Sequence, residues 1–478
     1  MSSAFCSYIP RLLFLKIFTL IILLSTGFSY GADIDRATAK RIGVKAYIYG
    51  FPILLMDRTS KVMTSDSSGN EGRKLNRLRH IQILATPAFR AVIRPNNDTL
   101  YSSAFLNLKK EPVILTIPEV KDRYASFTLL DAWTNAFATR SSRILSKNTT
   151  TKYPVQVAIT GPDWKGTLPA NTEQIKSPTN LVWLQGRTEV KGQADIGNVI
   201  AIQNKYGLSS LSSYNENRAP QSEIRPASAV KQKMTPEQQV RAMDAKAFYT
   251  TLAKLITENP PPSADREMLK DLAEIGIIPG KNFDFATLPP EIQQGLGEAT
   301  TAAQEFLRLI PGRFSNDAQW RPDLTKVKLG EYGTRYTLRA IVADTGFGAI
   351  KREDAVYQTA RKDTDGNILS GTNQYKIQFP KGKIPPVKGF WSLTIYDKEG
   401  FLVANTLSRY SIGSNSKLQY NRDGSLDIFI QHTPPASDKQ SNWLPAPSGP
   451  FEVTLRMYWP EPAILDGSWK MPALETLN

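Results

Sequence analysis

The sequence predicts an α+β protein that is mainly β: two related β-sandwich-like domains, an N-terminal helical segment and a helical middle region. Three observations lead there. At 478 residues the chain is longer than one hydrophobic core organises, so more than one domain is expected. Apolar residues recur at helical spacing near the start and in the middle, and alternate in two other stretches. One short β-unit also occurs twice, with its parts in the same order.

Residues 1–31 read as a signal peptide. Arg11 and Lys16 precede the apolar run Ile17–Leu24, small residues follow, and Ser29-Tyr30-Gly31 supplies a small-x-small cleavage site before Ala32. The run is short for a bilayer span, so a periplasmic or secreted protein is expected. Cys6, the single cysteine, lies in this leader. A mature chain therefore has no thiol, which excludes disulfides, cysteine-ligated zinc and a cysteine nucleophile.

Residues 32–94 form the N-terminal helical segment. Ile34, Ala37, Ile42, Ala46 and Tyr49 share a helical period, and Pro52 is expected to kink or interrupt the run. Residues 95–208 form the first β-rich domain, where Val155, Val157 and Ile159 alternate with Gln156 and Ala158. Residues 209–234, rich in Ser, Asn, Pro and charge, read as an extended connector. The helical region 235–350 opens on Thr235-Pro236-Glu237-Gln238, a capping box with proline at the first helical position. Alternation returns in the C-terminal β-sandwich-like domain, 351–478, at Tyr375, Ile377, Phe379 and at Leu426, Ile428, Ile430.

The repeat has three parts. Ser126-Phe127-Thr128-Leu129-Leu130-Asp131 matches Ser392-Leu393-Thr394-Ile395-Tyr396-Asp397. Asp98 and Tyr101 echo Asp354 and Tyr357, and Leu115-Thr116-Ile117-Pro118 parallels Ile377-Gln378-Phe379-Pro380. Duplication of one β-unit predicts like surroundings for Thr128 and Thr394.

At these residues the chain resembles a bacterial pair, the domains of unknown function numbered 1254 and 1214. The first resembles Ala46–Pro52, Pro95–Ser102, Leu130–Asn135, Gly161–Trp164 and Ser177–Asn180. The second resembles Phe390–Thr394, Ala404-Asn405, Asn421–Asp427, Asn442–Pro447 and Leu455–Pro460. The resemblance implies a mainly β, multi-domain fold with helical additions, often exported. It implies no agreed activity and carries no catalytic residues.

The residues themselves limit the chemistry. Only His80 and His432 are available, so a histidine-rich metal site is excluded by count and a Ser-His-Asp site must use one of them. His432, near Asp427 and Asp438, is the catalytic candidate of that kind. Asp98 and Asp131 are candidate acid-base carboxylates. Glycosidase pairs lie within about 10 Å of each other, so a separation beyond about 12 Å removes that reading. Asn97, Trp133, Asn135 and Arg187 are candidate ligand-binding residues at one end of the first β-domain, and Trp443 is the best candidate for an exposed stacking tryptophan. Asp363-Thr364-Asp365-Gly366-Asn367 leaves a calcium ion open, although a hairpin turn accounts for it as well. No other cofactor is expected, since no P-loop or complete G-x-G-x-x-G occurs.

The formal net charge is +15, with basic and acidic residues interspersed. That suits a solvated basic surface, an anionic envelope glycan, a small anionic molecule or lipid headgroups at a membrane surface, rather than nucleic acid. The reading leans toward ligand binding. Its alternatives are a hydrolase acting on a glycan or ester through carboxylates, and a structural envelope component.

Overall fold

The computed structural model describes residues 34–65, 74–90, 93–147, 150–220, 222–224, 234–313, 319–320 and 328–477. The leader reading of residues 1–31 lies outside the described residues.

Helix α1 (Arg36–Thr64) begins where the Asp35 carboxylate accepts from the Thr38 N–H at 2.7 Å. It runs through Pro52 without ending, so of the kink or interruption expected there the interruption does not occur. Proline removes one helical hydrogen bond, but residues 46–57 are buried on all sides against the middle helices, and that packing holds the helix together.

The first β-unit contains β1 (Leu78–His80), β2 (Thr99–Asn107), β3 (Val113–Ile117), β4 (Ala125–Asp131) and β5 (Ala136–Ser141). After helix α2 (Ser142–Leu145) come β6 (Val155–Thr160), β7 (Thr172–Lys176), β8 (Leu181–Glu189), helix α3 (Ile196–Gln203) and β9 (Gly207–Ser210). The stretch read as an extended connector holds helix α4 (Leu211–Asn215) and strand β10 (Ser222–Ile224), which pairs in parallel with β1. Glu223 anchors that edge strand, with Lys74, Arg77 and Arg79 nitrogens at 3.4, 3.1 and 3.4 Å.

The middle helices are α5 (Pro236–Arg241), α6 (Ala245–Glu258), α7 (Arg266–Glu274), α8 (Pro290–Arg313) and α9 (Tyr336–Gly346). The Thr235–Gln238 capping box is present on α5. Together with α1 these helices share one core, which also takes in Trp133.

The C-terminal unit consists of β11 (Ala355–Ala360), β12 (Gln374–Phe379), β13 (Trp391–Asp397), β14 (Ser411–Gly413), β15 (Leu426–Gln431), β16 (Trp443–Pro445), β17 (Phe451–Tyr458), helix α10 (Pro462–Leu465) and β18 (Leu474–Leu477). The described strands form four mostly antiparallel sheets. The first unit stacks β10-β1-β2-β8-β4-β5 on β7-β6-β3-β9, and the second stacks β11-β17-β13-β14 on β16-β15-β12-β18. The fold is mixed α+β, with two related sandwiches as expected.

Strand registers establish the relation. In the first unit Arg187 on β8 stands between Tyr101 on β2 and Ser126 on β4. In the second, Arg456 on β17 stands between Tyr357 on β11 and Ser392 on β13. Thr128 and Thr394 sit two residues further along, both wholly buried on the central strands. The third echo also holds, since β3 pairs with β6 in the first unit as β12 pairs with β15 in the second.

Candidate functional site

Side chains alternate across a strand, and this alternation makes the outer face of each central sheet polar. On β8, Val182 and Leu184 enter the first sandwich core, leaving Gln185, Arg187 and Glu189 on the other side. Tyr101 and Ser103 on β2, Ser126 and Thr128 on β4, and Thr139 and Ser141 on β5 share that side by register. On β17, Val453, Leu455 and Met457 are core; Glu452, Thr454, Arg456 and Tyr458 point the opposite way, beside Ser392, Thr394 and Tyr396.

These two polar faces are brought together by reciprocal contacts. Asp98, just before β2, accepts from Ser392 Oγ at 2.6 Å and Ser411 Oγ at 2.9 Å on the second sheet. Its counterpart Asp354, just before β11, accepts from Ser141 Oγ at 2.8 Å and from Arg143 Nε and Nη2 at 3.0 and 3.1 Å on the first. Tyr124 packs edge-on to Phe390 across the junction, and Asn96 Nδ2 donates to the Tyr458 hydroxyl at 2.5 Å. Arg94 and Arg361 converge on Glu452, which is buried; burial pushes that carboxyl up, but the two guanidiniums outweigh it and hold it below its usual range.

Within this seam the two arginines differ. Arg456 is fully engaged, donating to Thr394 Oγ1 at 2.7 Å, the Tyr396 hydroxyl at 2.6 Å and the Arg94 carbonyl at 3.1 Å. Arg187 is 8% exposed and donates from Nη2 to Gln185 Oε1 at 2.7 Å. Its Nε and Nη1 make no hydrogen bond of normal geometry, although the Tyr101 hydroxyl interacts with the guanidinium, and the buried hydroxyls of Thr99, Thr128 and Thr139 on the same face are also without a partner. Tyr101 lies beneath the guanidinium, 5.3 Å from ring centre to Cζ. Burial pushes the hydroxyls of Tyr357 and Tyr458 up, so they stay protonated near neutral pH and bring no negative charge. Among the described residues no carboxylate pairs with Arg187.

A cleft of about 530 Å³ opens between the units beside this seam. Arg123, Arg140, Lys191 and Lys388 line it, against Asp122 and Glu189, and its inner wall includes Tyr124 and Ser126. Ser126 stands directly opposite Arg187. Directly opposed residues have Cβ atoms about 5 Å apart, so Arg187 stands one strand behind the cleft wall formed by Ser126.

Of the residues singled out by sequence, Arg187 alone lies at this face with unused donors. Asp98 is a latch between the units. Asp131 forms the β4–β5 turn: it accepts from the backbone N–H groups of Trp133 and Asn135 at 2.9 and 2.8 Å and from Asn135 Nδ2 at 2.9 Å. Burial pushes its carboxyl up to about 6 against those bonds. Asp98 lies level with Val190 and Asp131 with Val182; eight residues of strand put about 26 Å between them at ~3.3 Å per residue. Asp98 and Asp131 are therefore too far apart to span one glycosidic bond.

Asn97 bonds the Ala85 carbonyl at 2.7 Å, and Trp133 is core, its Nε1 donating to the Pro260 carbonyl at 3.3 Å. Trp443, expected to be exposed, is 4% exposed, because β16 tucks it against β15 and its Nε1 donates to the Gln431 carbonyl at 2.9 Å. His432 is exposed and its Nδ1 meets the Ala446 carbonyl at 2.9 Å. Asp363 accepts from the backbone of Asp365 and Asn367 and from Thr476, as a hairpin turn does. No group of three or more His, Cys, Asp or Glu residues spaced to hold a metal occurs among the described residues.

His80 lies between the first unit's core and α3, its Nδ1 2.8 Å from Ser102 Oγ. Burial lowers its pKa from 6.5 to about 4, so the folded state holds it neutral while the unfolded chain takes up a proton below pH 6.5. Stability is present in full above that value and falls as pH drops from 6.5 toward 4. Full conversion of the shift is about 3 kcal/mol, and screening by nearby solvent leaves about 1–3 kcal/mol. Urea unfolding at pH 7 and pH 4.5 checks this, and His80→Gln is expected to shrink the difference by that amount.

Sequence reading missed Arg456, Tyr458 and Arg143, and named Tyr101, Asp354 and Tyr357 only as parts of the repeat. Extending the repeat by one strand, to align Gln185-Gly186-Arg187 with Thr454-Leu455-Arg456, finds the second arginine.

The architecture is that of two duplicated sandwiches latched over a polar seam. Residues 75–210 match the family model described as a protein of unknown function (DUF1254), and residues 354–462 match the one described as a protein of unknown function (DUF1214). The chain thus pairs a DUF1254 domain with a DUF1214 domain. Its fold is similar to the crystal structure of the VPA0106 protein from Vibrio parahaemolyticus, at 23% identity and a TM-score of 0.67 over 92% of this chain and 100% of that one. A putative uncharacterized protein from Burkholderia cenocepacia is 11% identical, with a TM-score of 0.42 over 92% and 94% of the two chains. No curated protein matches the chain.

Proposed function

We propose that the protein binds a small anionic ligand in the cleft between its two units, with Arg187 as the charge that receives it. The observation that carries this reading is the buried guanidinium with unused donors and no carboxylate partner. Holding a desolvated charge without a counter-ion costs several kcal/mol, a cost that an incoming anion offsets. Lys191 and Lys388 on the cleft wall, where Arg123 and Arg140 are paired with Asp195 and Glu173, and the net charge of +15 support the same sign of ligand. An anionic envelope glycan fragment fits this description. The basic, apolar and small-residue pattern of residues 1–31 supports a periplasmic or secreted setting, and among the described residues no helix is long and apolar enough to cross a membrane.

Isothermal titration with anionic envelope sugars tests the reading. Arg187→Gln is expected to weaken binding by about 2–4 kcal/mol, roughly 30- to 700-fold, with the far-UV circular dichroism unchanged. Equal affinity in the variant would sink the proposal.

A further inference from the structure

The two units contain the same arginine in the same register, and the second unit shows what a completed site looks like. Arg456 has Thr394 Oγ1, the Tyr396 hydroxyl and the Arg94 carbonyl as acceptors, and the Asp98 carboxylate adds a favourable charge interaction. Three of these residues have a positional counterpart in the other repeat. Thr394 corresponds to Thr128, whose hydroxyl is buried without a partner. Tyr396 corresponds to Leu130, which has no hydroxyl. Asp98 corresponds to Asp354, which Arg143 holds through two bonds.

Arg187 therefore lacks one negative charge and two oxygen acceptors relative to its twin. The geometry of the guanidinium group agrees. Nη2 carries two hydrogens, one on each two-pronged edge of the planar group. Gln185 takes one of them. The other edge keeps both prongs, and a planar carboxylate matches such an edge with two parallel hydrogen bonds.

Resting on the anionic-ligand reading above, we infer that the ligand carries a carboxylate, bound two-pronged by Arg187 and further held by the Thr128 hydroxyl. Its two oxygens supply what the Tyr396 hydroxyl and the Arg94 carbonyl supply to Arg456, and its single charge does the work of Asp98. Phosphate and sulfate bring more oxygens, and at neutral pH more charge, than this account requires. The rest of the ligand lies along the cleft past Ser126, where Arg123 and Lys388 line the wall.

The test uses the full chain and a panel of acetate, succinate and glucuronate against inorganic phosphate and sulfate, read by calorimetry and by thermal shift. At least one carboxylate is expected to bind ten-fold or more tightly than both inorganic anions. That binding is expected to weaken roughly 30- to 700-fold in Arg187→Gln and about three- to ten-fold in Thr128→Val, which keeps the buried shape and removes the hydroxyl. Phosphate or sulfate binding as tightly as the best carboxylate, and depending on Arg187, overturns the carboxylate assignment and leaves the anionic-ligand reading standing. Binding of no anion, or binding indifferent to Arg187, overturns both.

Discussion

Arg187→Met raises the stability of the ligand-free protein by about 1–3 kcal/mol, while Arg456→Met lowers it by about 3–5 kcal/mol, although the two positions are equivalent in register. The desolvation penalty of a buried ion is several kcal/mol. Arg187 recovers little of it: one hydrogen bond worth about 1 kcal/mol and a face contact with Tyr101 worth about as much. Methionine fills a similar volume without the charge. Arg456 recovers its penalty through three hydrogen bonds and the nearby Asp98 carboxylate, and its removal leaves that carboxylate buried and uncompensated. Urea unfolding of both variants in ligand-free buffer checks the pair of signs. A stabilised Arg187→Met that also fails to bind anions is the expected trade of stability against function. Equal destabilisation by both substitutions would make Arg187 a structural residue and remove the basis of the proposed site.

Asp354→Ala costs about 3–5 kcal/mol and loosens the junction between the two units. Asp354 is fully buried and reaches across the seam to accept from Ser141 and Arg143 of the first unit. Its removal strands a guanidinium whose side chain is 18% exposed, and breaking a buried pair by deleting one partner is the costly case. The exposed Lys270–Glu267 pair at 2.9 Å is the natural control, since pairs of that kind contribute 0 to about 1 kcal/mol. Combining Asp354→Ala with Arg143→Ala should recover part of the loss, and a double-mutant cycle measures how much. Hydrogen exchange should report faster opening of β11 and β5 in the single variant.

Much of the fold was legible along the chain. Alternation marked Val155–Ile159 and Leu426–Ile430 as strands because side-chain period is a local property. The Thr235–Gln238 capping box marked a helix start for the same reason. The repeat placed Thr128 and Thr394 in like surroundings, since duplicated strands keep their polar and apolar order. Less was legible at Pro52, where burial on all sides overrides a local breaker, and at Ser222–Ile224, where a polar stretch pairs with β1 through backbone bonds and a glutamate that composition does not reveal. Trp443 was misplaced because a tryptophan beside asparagine and proline reads as loop, whereas its burial depends on β15 beside it.

The candidate site was only partly readable. Arg187 was a ligand-binding candidate at one end of the first β-domain, but Asp98 and Asp131 attracted attention as carboxylates and proved to be a latch and a turn.

By itself, then, the order of residues determined much of the secondary structure, the doubling of the β-unit and the exclusion of histidine-rich metal chemistry, all of which depend on composition or short-range pattern. Tertiary structure alone decided which polar groups meet. Asp98 and Ser392 are 294 positions apart, and whether a buried arginine is balanced depends on groups brought to it from that distance. Charge compensation is a property of three-dimensional neighbours, which is why two arginines in matching strands end with one satisfied and one open.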